Sequence, residues 1–160
     1  MILRILLLKM TEYLLQKNRK KCIMTKEMFE KGTQYMGCFI NFSNHPSKLW
    51  SDQQREAAQS YGEIIDLSFP AIQADASEEE VLMLAGSYCD KILSMDPAAV
   101  MCQGEFTLSY AVIQQLLKKG VCCVAACSDR VTTEKQEAGK TVKQAAFVFV
   151  RFREYRGLKE

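Results

Sequence analysis

The 160-residue chain contains a single histidine, a single tryptophan and only three prolines. It lacks the glycine-rich patterns G-x-G-x-x-G and G-x-x-x-x-G-K-S/T, so the sequence gives no support for a dinucleotide cofactor or a P-loop reaction. It also lacks a cluster of acidic residues typical of a two-metal phosphodiesterase. These absences leave a small set of polar residues to consider as a functional site.

Cysteine is abundant, but its spacing does not indicate disulfide bonds. The seven cysteines are an odd number, none forms a C-x-x-C motif, and most lie in apolar runs. We therefore expect reduced thiols in the core of a cytoplasmic protein. Cys123 and Cys127 are four residues apart and could share a metal, but no second pair matches them. A zinc site is not expected.

The formal net charge of +2 is distributed unevenly along the chain. Residues 1–35 carry eight basic and three acidic side chains, whereas the remaining residues carry thirteen basic and sixteen acidic ones. The main body is therefore slightly acidic and lacks the large basic face that generic binding to duplex nucleic acid requires. Any phosphate contact must come from a few individually positioned residues.

Residues 1–35 differ in pattern from the rest of the chain. Apolar residues recur at helical spacing over 2–15, and a basic run follows at 17–21. The segment is too short, and too interrupted by Arg4 and Lys9, to span a membrane, and it lacks the layout of a signal peptide. Contact with a membrane surface is an alternative. We expect residues 1–35 to be an upstream extension or a loosely attached helix, and residues 36–160 to form the folded domain.

From residue 36 onward, short apolar runs alternate with helical patterns. Strands are predicted over Cys38–Phe42, Glu63–Leu67, Ala98–Cys102 and Val121–Ala126. Helices are predicted between them over 51–61, 77–95 and 105–119. Two more β-prone runs, 130–136 and 142–152, flank a turn at 137–140. This order predicts a Rossmann-like three-layer α/β sandwich with a mostly parallel sheet and a C-terminal β-hairpin.

The only histidine follows the first predicted strand directly. Pro46 restricts the backbone there, so His45 is expected on a stiff loop. In open α/β sheets ligands bind beyond the carboxyl ends of the strands, and all four predicted parallel strands end in polar residues. Besides His45, the candidates are Asn44, Ser47, Ser68, Gln103, Gly104, Glu105, Thr107, Ser128, Asp129 and Arg130. Backbone amides at Gly104–Thr107 could hold a phosphate at the start of a helix.

Each candidate also has an ordinary structural explanation. A histidine after a strand is often a turn or capping residue. Gly104 could only permit a tight turn, and Glu105 could only complement the dipole of the following helix. Ser128 and Asp129 are turn formers, while Arg130 could be a solvated charge at a sheet edge. The sequence leaves these alternatives open.

Four segments, in this order, resemble a small CRISPR-associated accessory family that occurs beside type III CRISPR systems. Its members are described as stand-alone ring nucleases or binders of cyclic oligoadenylate. The segments are Ile40–Ser47 with Trp50, Tyr61–Asp66, Gln103–Thr107 and Phe149–Tyr155. The resemblance extends over residues 36–155 and leaves out residues 1–35.

The resemblance implies a homodimer that binds cyclic tetra-adenylate across its two-fold axis and cleaves it without a metal or another cofactor. The adenylate's own 2′-hydroxyl would be the nucleophile, with His45 as general acid or base and Arg130 as phosphate clamp. The ligand would also contact Asn44, Ser47, Gln103, Gly104, Glu105, Thr107, Ser128 and Asp129. Such cleavage would switch off an antiviral signal.

Three alternatives stand beside this interpretation. The protein could bind the cyclic messenger without cleaving it and so lower its free concentration. It could be a nucleoside-processing enzyme with Glu105 as nucleophile, although glycosidic chemistry usually needs two carboxylates. It could also be an interaction module in which residues 1–35 dock on a partner or membrane.

Deletion of residues 1–35 tests the predicted domain boundary. We expect the truncated chain to keep a cooperative urea unfolding transition with the same midpoint as the full chain, because the predicted core lies entirely within residues 36–160. Circular dichroism follows the transition. Loss of cooperativity after truncation would show that the boundary is wrong.

Overall fold

A five-stranded sheet in the order β2-β1-β3-β4-β5 forms the centre of the protein. The computed structural model describes residues 37–137 and 140–157. The strands are β1 (Cys38–Ser43), β2 (Glu63–Ser68), β3 (Pro97–Gln103), β4 (Cys123–Glu137) and β5 (Lys140–Glu154). The helices are α1 (Asp52–Gln59), α2 (Glu78–Ser94) and α3 (Phe106–Lys118), with a 3-10 turn at Ser47–Leu49. Strands β1 to β4 are parallel, and β5 pairs antiparallel with β4.

The helix boundaries follow the capping residues in the sequence. The Ser51 hydroxyl accepts a hydrogen bond from the Gln54 amide at the start of α1. Ser77 and Glu80 form the predicted capping box at the start of α2. Helix α3 ends at Lys118 and Lys119 caps it; Gly120 follows with a φ of 76°, in the left-handed region that glycine adopts without strain. These local signals explain why the predicted helices form close to their expected positions.

Helices cover both faces of the sheet, so the predicted three-layer α/β sandwich is confirmed. Helices α2 and α3 pack against one face, where Ile40, Phe42 and Val100 are fully buried. The other face, which we call the α1 face, buries Phe39 and Met101 against Trp50 and α1. Alternate residues of each strand therefore face different layers.

Strand β4 differs from its predicted form. The sequence predicts a strand that ends at Ala126 and a loop at Ser128–Arg130, but β4 continues without a break to Glu137. The predicted loop is therefore wrong. Residues 128–130 pair with 147–149 of β5, and this ladder of backbone hydrogen bonds outweighs the turn preference of Ser128 and Asp129.

A β-bulge lies where β4 leaves the parallel sheet. Cys127 lies opposite Arg151 and Ser128 lies opposite Phe149, so Val150 has no partner on β4. The extra residue reverses the alternation of β5, which allows Phe149 and Phe152 to contact each other at 4.9 Å between ring centroids. Beyond the bulge, β4 and β5 continue as a two-stranded ribbon, which we call the arm (residues 128–137 and 140–149).

Two sequence predictions lie outside the described residues. One is the extension over residues 1–35, and the other is the centre of the hairpin turn at residues 138–139. Within the described ranges, no helix combines the length and apolar character needed to cross a membrane.

The core thiols should react slowly with alkylating reagents. Burial raises the pKa of Cys102 to about 12, and burial together with the nearby Asp90 carboxylate raises that of Cys89 to about 11. Both thiols should stay protonated and unlabelled by iodoacetamide at about pH 8, because the thiolate is the reactive form. Cys127, which is only half-buried, should be labelled before Cys89 and Cys102. Peptide mass spectrometry checks the order, and equal labelling of Cys102 and Cys127 in native protein would contradict it.

Candidate functional site

The carboxyl ends of three parallel strands lie side by side at one edge of the sheet. The pairing places Ser43 of β1 between Ser68 of β2 and Gln103 of β3. Neighbouring strands lie about 5 Å apart, so the loops that follow these residues are also neighbours. We call this region the carboxyl edge.

The loop after β1 holds its backbone in place and exposes the His45 side chain. The His45 carbonyl accepts hydrogen bonds from Asn41 Nδ2 at 2.8 Å and from Trp50 Nε1 at 3.1 Å. The His45 amide donates to Ser43 Oγ at 3.1 Å. Trp50 is buried against Phe39 and Phe152. His45 is therefore exposed to solvent on a backbone whose amide and carbonyl groups are both hydrogen-bonded.

The Asp66 carboxylate ties the same loop to the neighbouring strand. Its two oxygens each lie 3.1 Å from the Ser47 amide, and Oδ2 also accepts from Ser47 Oγ at 3.0 Å. Oδ1 accepts from Asn41 Nδ2 at 2.7 Å. Asn41 is only 1% exposed, and its remaining polar atom, Oδ1, accepts from Ser43 Oγ at 2.7 Å. Every polar group of this buried amide is therefore satisfied.

Asn41, Ser43 and Asp66 are site residues that the sequence analysis did not select. The available signal was a polar residue within an apolar strand, since Asn41 lies between Ile40 and Phe42 and Asp66 lies between Ile65 and Leu67. Asn41 is buried and therefore requires hydrogen-bond partners, whereas Asp66 is exposed. The sequence does not reveal that Asn41 and Asp66 are partners across β1 and β2, because that depends on the strand register.

Gln103 connects β3 to β4 through its side chain. Its Oε1 accepts from the Ala126 amide at 2.9 Å, and its Nε2 donates to the Ala126 carbonyl at 3.3 Å. These two hydrogen bonds thus resemble those that one more pair of residues would form in a β-ladder. Its amide is already engaged within the protein, so Gln103 contributes to the candidate site mainly by fixing where β4 leaves the sheet.

Glycine is required at position 104 by close packing. A Cβ atom there would lie 2.5 Å from the Phe69 ring, which reaches across from the end of β2. Phe69 in turn contacts Phe42, with 4.6 Å between ring centroids. Gly104 therefore serves the core, and no ligand contact is needed to explain it.

Glu105 caps α3 with its own carboxylate. The carboxylate accepts from the Thr107 amide at 3.0 Å, the Leu108 amide at 2.9 Å and the Thr107 hydroxyl at 2.7 Å. These hydrogen bonds, the one from the Thr107 amide first, lower the pKa of Glu105 and favour its charged form. Of the amides at Gly104–Thr107 that we predicted could hold a phosphate, that of Thr107 already binds this carboxylate, which a phosphate would have to displace.

The candidate residues of β4 lie beyond the carboxyl edge. Arg130 follows Ala126 by four residues, which corresponds to about 13 Å along a strand. Ser128 lies opposite Phe149 and Arg130 opposite Phe147, so these side chains continue the α1 face, which also carries Asn41 and Ser43. Asp129 lies opposite Val148 on the other face of the arm. The predicted cluster of residues 128–130 is therefore divided between two faces.

The structure brings some of the predicted residues together and separates others. Asn44, His45 and Ser47 share the loop after β1, with Asn44 and His45 exposed. Gln103 lies at the adjacent strand end, and Ser128 and Arg130 extend the same face. Glu105 and Thr107 engage each other at the start of α3. The usable polar surface is therefore the α1 face, between the His45 loop and the arm.

Removal of the Asp66 carboxylate should destabilise the His45 loop. We expect Asp66→Ala to lower the free energy of unfolding by about 1–3 kcal/mol, because hydrogen-bond donors of Asn41 and Ser47 lose their acceptor. Urea denaturation measures the loss. Glu63→Ala is the matched control, since Glu63 is an exposed carboxylate on the same strand. Equal effects of the two substitutions would contradict the anchoring role of Asp66.

No group of three His, Cys, Asp or Glu side chains that could hold a metal ion occurs among residues 37–137 and 140–157.

Comparison with known proteins places the chain in a family. No curated protein and no solved structure matches the chain. One family model, described as the uncharacterized protein MJ1673 family, matches residues 37–153. The match covers β1 to β4 and nearly all of β5, and the chain is a member of the MJ1673 family.

Proposed function

We propose that this protein binds cyclic tetra-adenylate at the α1 face of the carboxyl edge and cleaves it as a metal-independent ring nuclease. In this role it would switch off type III CRISPR antiviral signalling, as the resemblance of its four segments implies. One observation supports the proposal most: the loop that carries the exposed His45 follows β1 and packs through Trp50 on the α1 face, the exposed Arg130 lies on the same face of β4, and only β3 separates the two strands. The strand spacing separates β1 from β4 by about 10 Å.

The reaction we propose needs no nucleophile from the protein. The 2′-oxygen of one adenylate attacks the adjacent phosphorus, and the bond from phosphorus to the 5′-oxygen breaks. The products are a 2′,3′-cyclic phosphate and a 5′-hydroxyl. His45 takes the proton from the 2′-hydroxyl or gives one to the 5′-oxygen, and water completes the other transfer. Arg130 binds the phosphate, whose charge its guanidinium matches.

The anchored loop supports this division of roles. Catalysis by positioning requires the reacting groups to be held in a narrow range of geometries. The His45 backbone has this property, because it is bonded to Asn41, Ser43 and Trp50. Asn44 and Ser47 flank the imidazole and would contact the ring, while Ser128 would do so beside Arg130. Glu105 caps α3, so in this proposal it borders the site and does not bind the phosphate.

The homodimer belongs to the same proposal. A cyclic tetra-adenylate has repeated symmetry, and a two-fold dimer can present the same surface to both halves of such a ring. Each His45 loop would then act on one half. Light scattering of the purified protein measures the mass that this arrangement requires.

Sequestration without cleavage is the second candidate function. The observation that favours it is the position of Arg130, which lies about 13 Å along β4 beyond the carboxyl edge. Arg130 and His45 of one chain could therefore hold different parts of the ring, which would allow tight binding without in-line attack. In contrast, the role of Glu105 as a helix cap weakens the proposal of a nucleoside-processing enzyme.

Incubation with cyclic tetra-adenylate in the presence of EDTA tests the proposal directly. We expect linear products that end in a 2′,3′-cyclic phosphate, identified by mass spectrometry. His45→Ala should slow cleavage by roughly 100-fold or more while the dissociation constant changes little, because acid–base catalysis contributes to the transition state. Arg130→Ala should weaken binding, whereas the control Arg156→Ala, an exposed arginine after β5, should not.

The outcomes separate the candidate functions. Binding without any product after long incubation would favour sequestration. An absence of binding to cyclic tri-, tetra- and hexa-adenylate would contradict both candidates. Cleavage that survives His45→Ala unchanged would show that another group moves the proton.

A further inference from the structure

The arm carries an exposed aromatic side chain next to Arg130. Phe147 is 75% exposed and lies directly opposite Arg130 in the β4–β5 pair. Directly opposed residues have their Cβ atoms about 5 Å apart on the same face of a sheet. The side chains of Arg130 and Phe147 therefore leave the arm as neighbours on the α1 face, on which the His45 loop also packs.

Phe147 contributes little to the stability of its own domain. Two residues further along β5, Phe149 is only 6% exposed and packs against Phe152. The bulge at Val150 brings those two rings together, and both belong to the inner part of β5. A phenylalanine that remains mostly in water forgoes most of the stabilisation that burial of its ring would give. Its position beside a cation calls for an explanation other than core packing.

The chemistry of the pair matches one unit of single-stranded nucleic acid. Proteins bind unpaired nucleotides by combining a cation for the phosphate with an aromatic ring on which the base stacks. Arg130 supplies the cation, and the exposed ring of Phe147 supplies the stacking surface. Asp129 lies on the opposite face of the arm, so its carboxylate does not face this pair.

We propose that Phe147 is a base-stacking subsite for the adenylate whose phosphate Arg130 binds. This inference rests on the proposed function and adds a recognition element for the base, which the His45 loop and Arg130 do not supply. It also explains why β4 extends past the carboxyl edge. The extension carries Arg130, and it pairs with the part of β5 that carries Phe147.

Binding of a cyclic tetra-adenylate with one 2-aminopurine in place of adenine tests the subsite. We expect Phe147→Ala to weaken binding roughly 5- to 150-fold, the range that stacking on an aromatic residue supports. It should also change the fluorescence of bound 2-aminopurine, which reports stacking. Phe147→Trp should restore both the affinity and the fluorescence to those of the unaltered protein, because the larger ring also stacks. Arg130→Ala should instead reduce the dependence of affinity on salt, since it removes a phosphate contact.

Two exposed apolar residues elsewhere provide matched controls. Val148→Ala changes the next residue of β5, on the opposite face of the arm, and Phe106→Ala removes an 88% exposed aromatic ring at the start of α3. Both should bind the probe like the unaltered protein. Light scattering on each variant tests whether Phe147 instead contacts a second copy of the chain.

Three results would overturn the inference while the proposed function stands. One is probe affinity and fluorescence in Phe147→Ala equal to those of the unaltered protein. Another is an equal loss in Val148→Ala or Phe106→Ala. The third concerns the oligomeric mass. Phe147→Ala would lose affinity and change its mass, while Phe147→Trp would recover the affinity and the mass but not the 2-aminopurine fluorescence. If the unaltered protein does not bind any cyclic adenylate, the proposed function itself fails.

Discussion

The buried side chain of Asn41 joins the elements on which the candidate site depends. Its amide nitrogen donates both hydrogens, one to the His45 carbonyl and one to the Asp66 carboxylate, and its oxygen accepts from Ser43. A buried amide stabilises a structure only when such partners are present, because an unsatisfied polar group in the core is costly. The end of β1, the His45 loop and β2 are therefore fixed relative to one another.

The second constraint lies at the other side of the sheet, where β4 leaves it. Gln103 bonds both backbone groups of Ala126, and the bulge at Val150 shifts the alternation of β5 immediately afterwards. As a result Phe149 and Phe152 pack inward together, while Phe147 and Arg130 extend outward on the α1 face. A single extra residue in β5 thus decides which side chains of the arm lie on the α1 face.

The helix caps and the apolar strands could be predicted because their causes are local. Ser77 and Glu80 satisfy backbone amides within one turn, and runs such as residues 98–102 are apolar because both faces of the strand are covered. The continuation of β4 through Ser128 and Asp129 could not be predicted in this way. Those residues prefer turns in isolation, and only pairing with β5, which is distant in sequence, keeps them extended.

For the candidate site, local sequence alone predicts that His45 follows a strand and that polar residues occupy the strand ends, since both depend on neighbours along the chain. The contacts of these residues depend on the fold. It engaged Glu105 with the amides of α3, turned Gln103 toward β4, and divided Ser128 and Arg130 from Asp129. It also introduced Asn41 and Asp66 as partners. Strand register and side-chain contacts across the sheet are long-range properties, so only the folded arrangement could assign these roles.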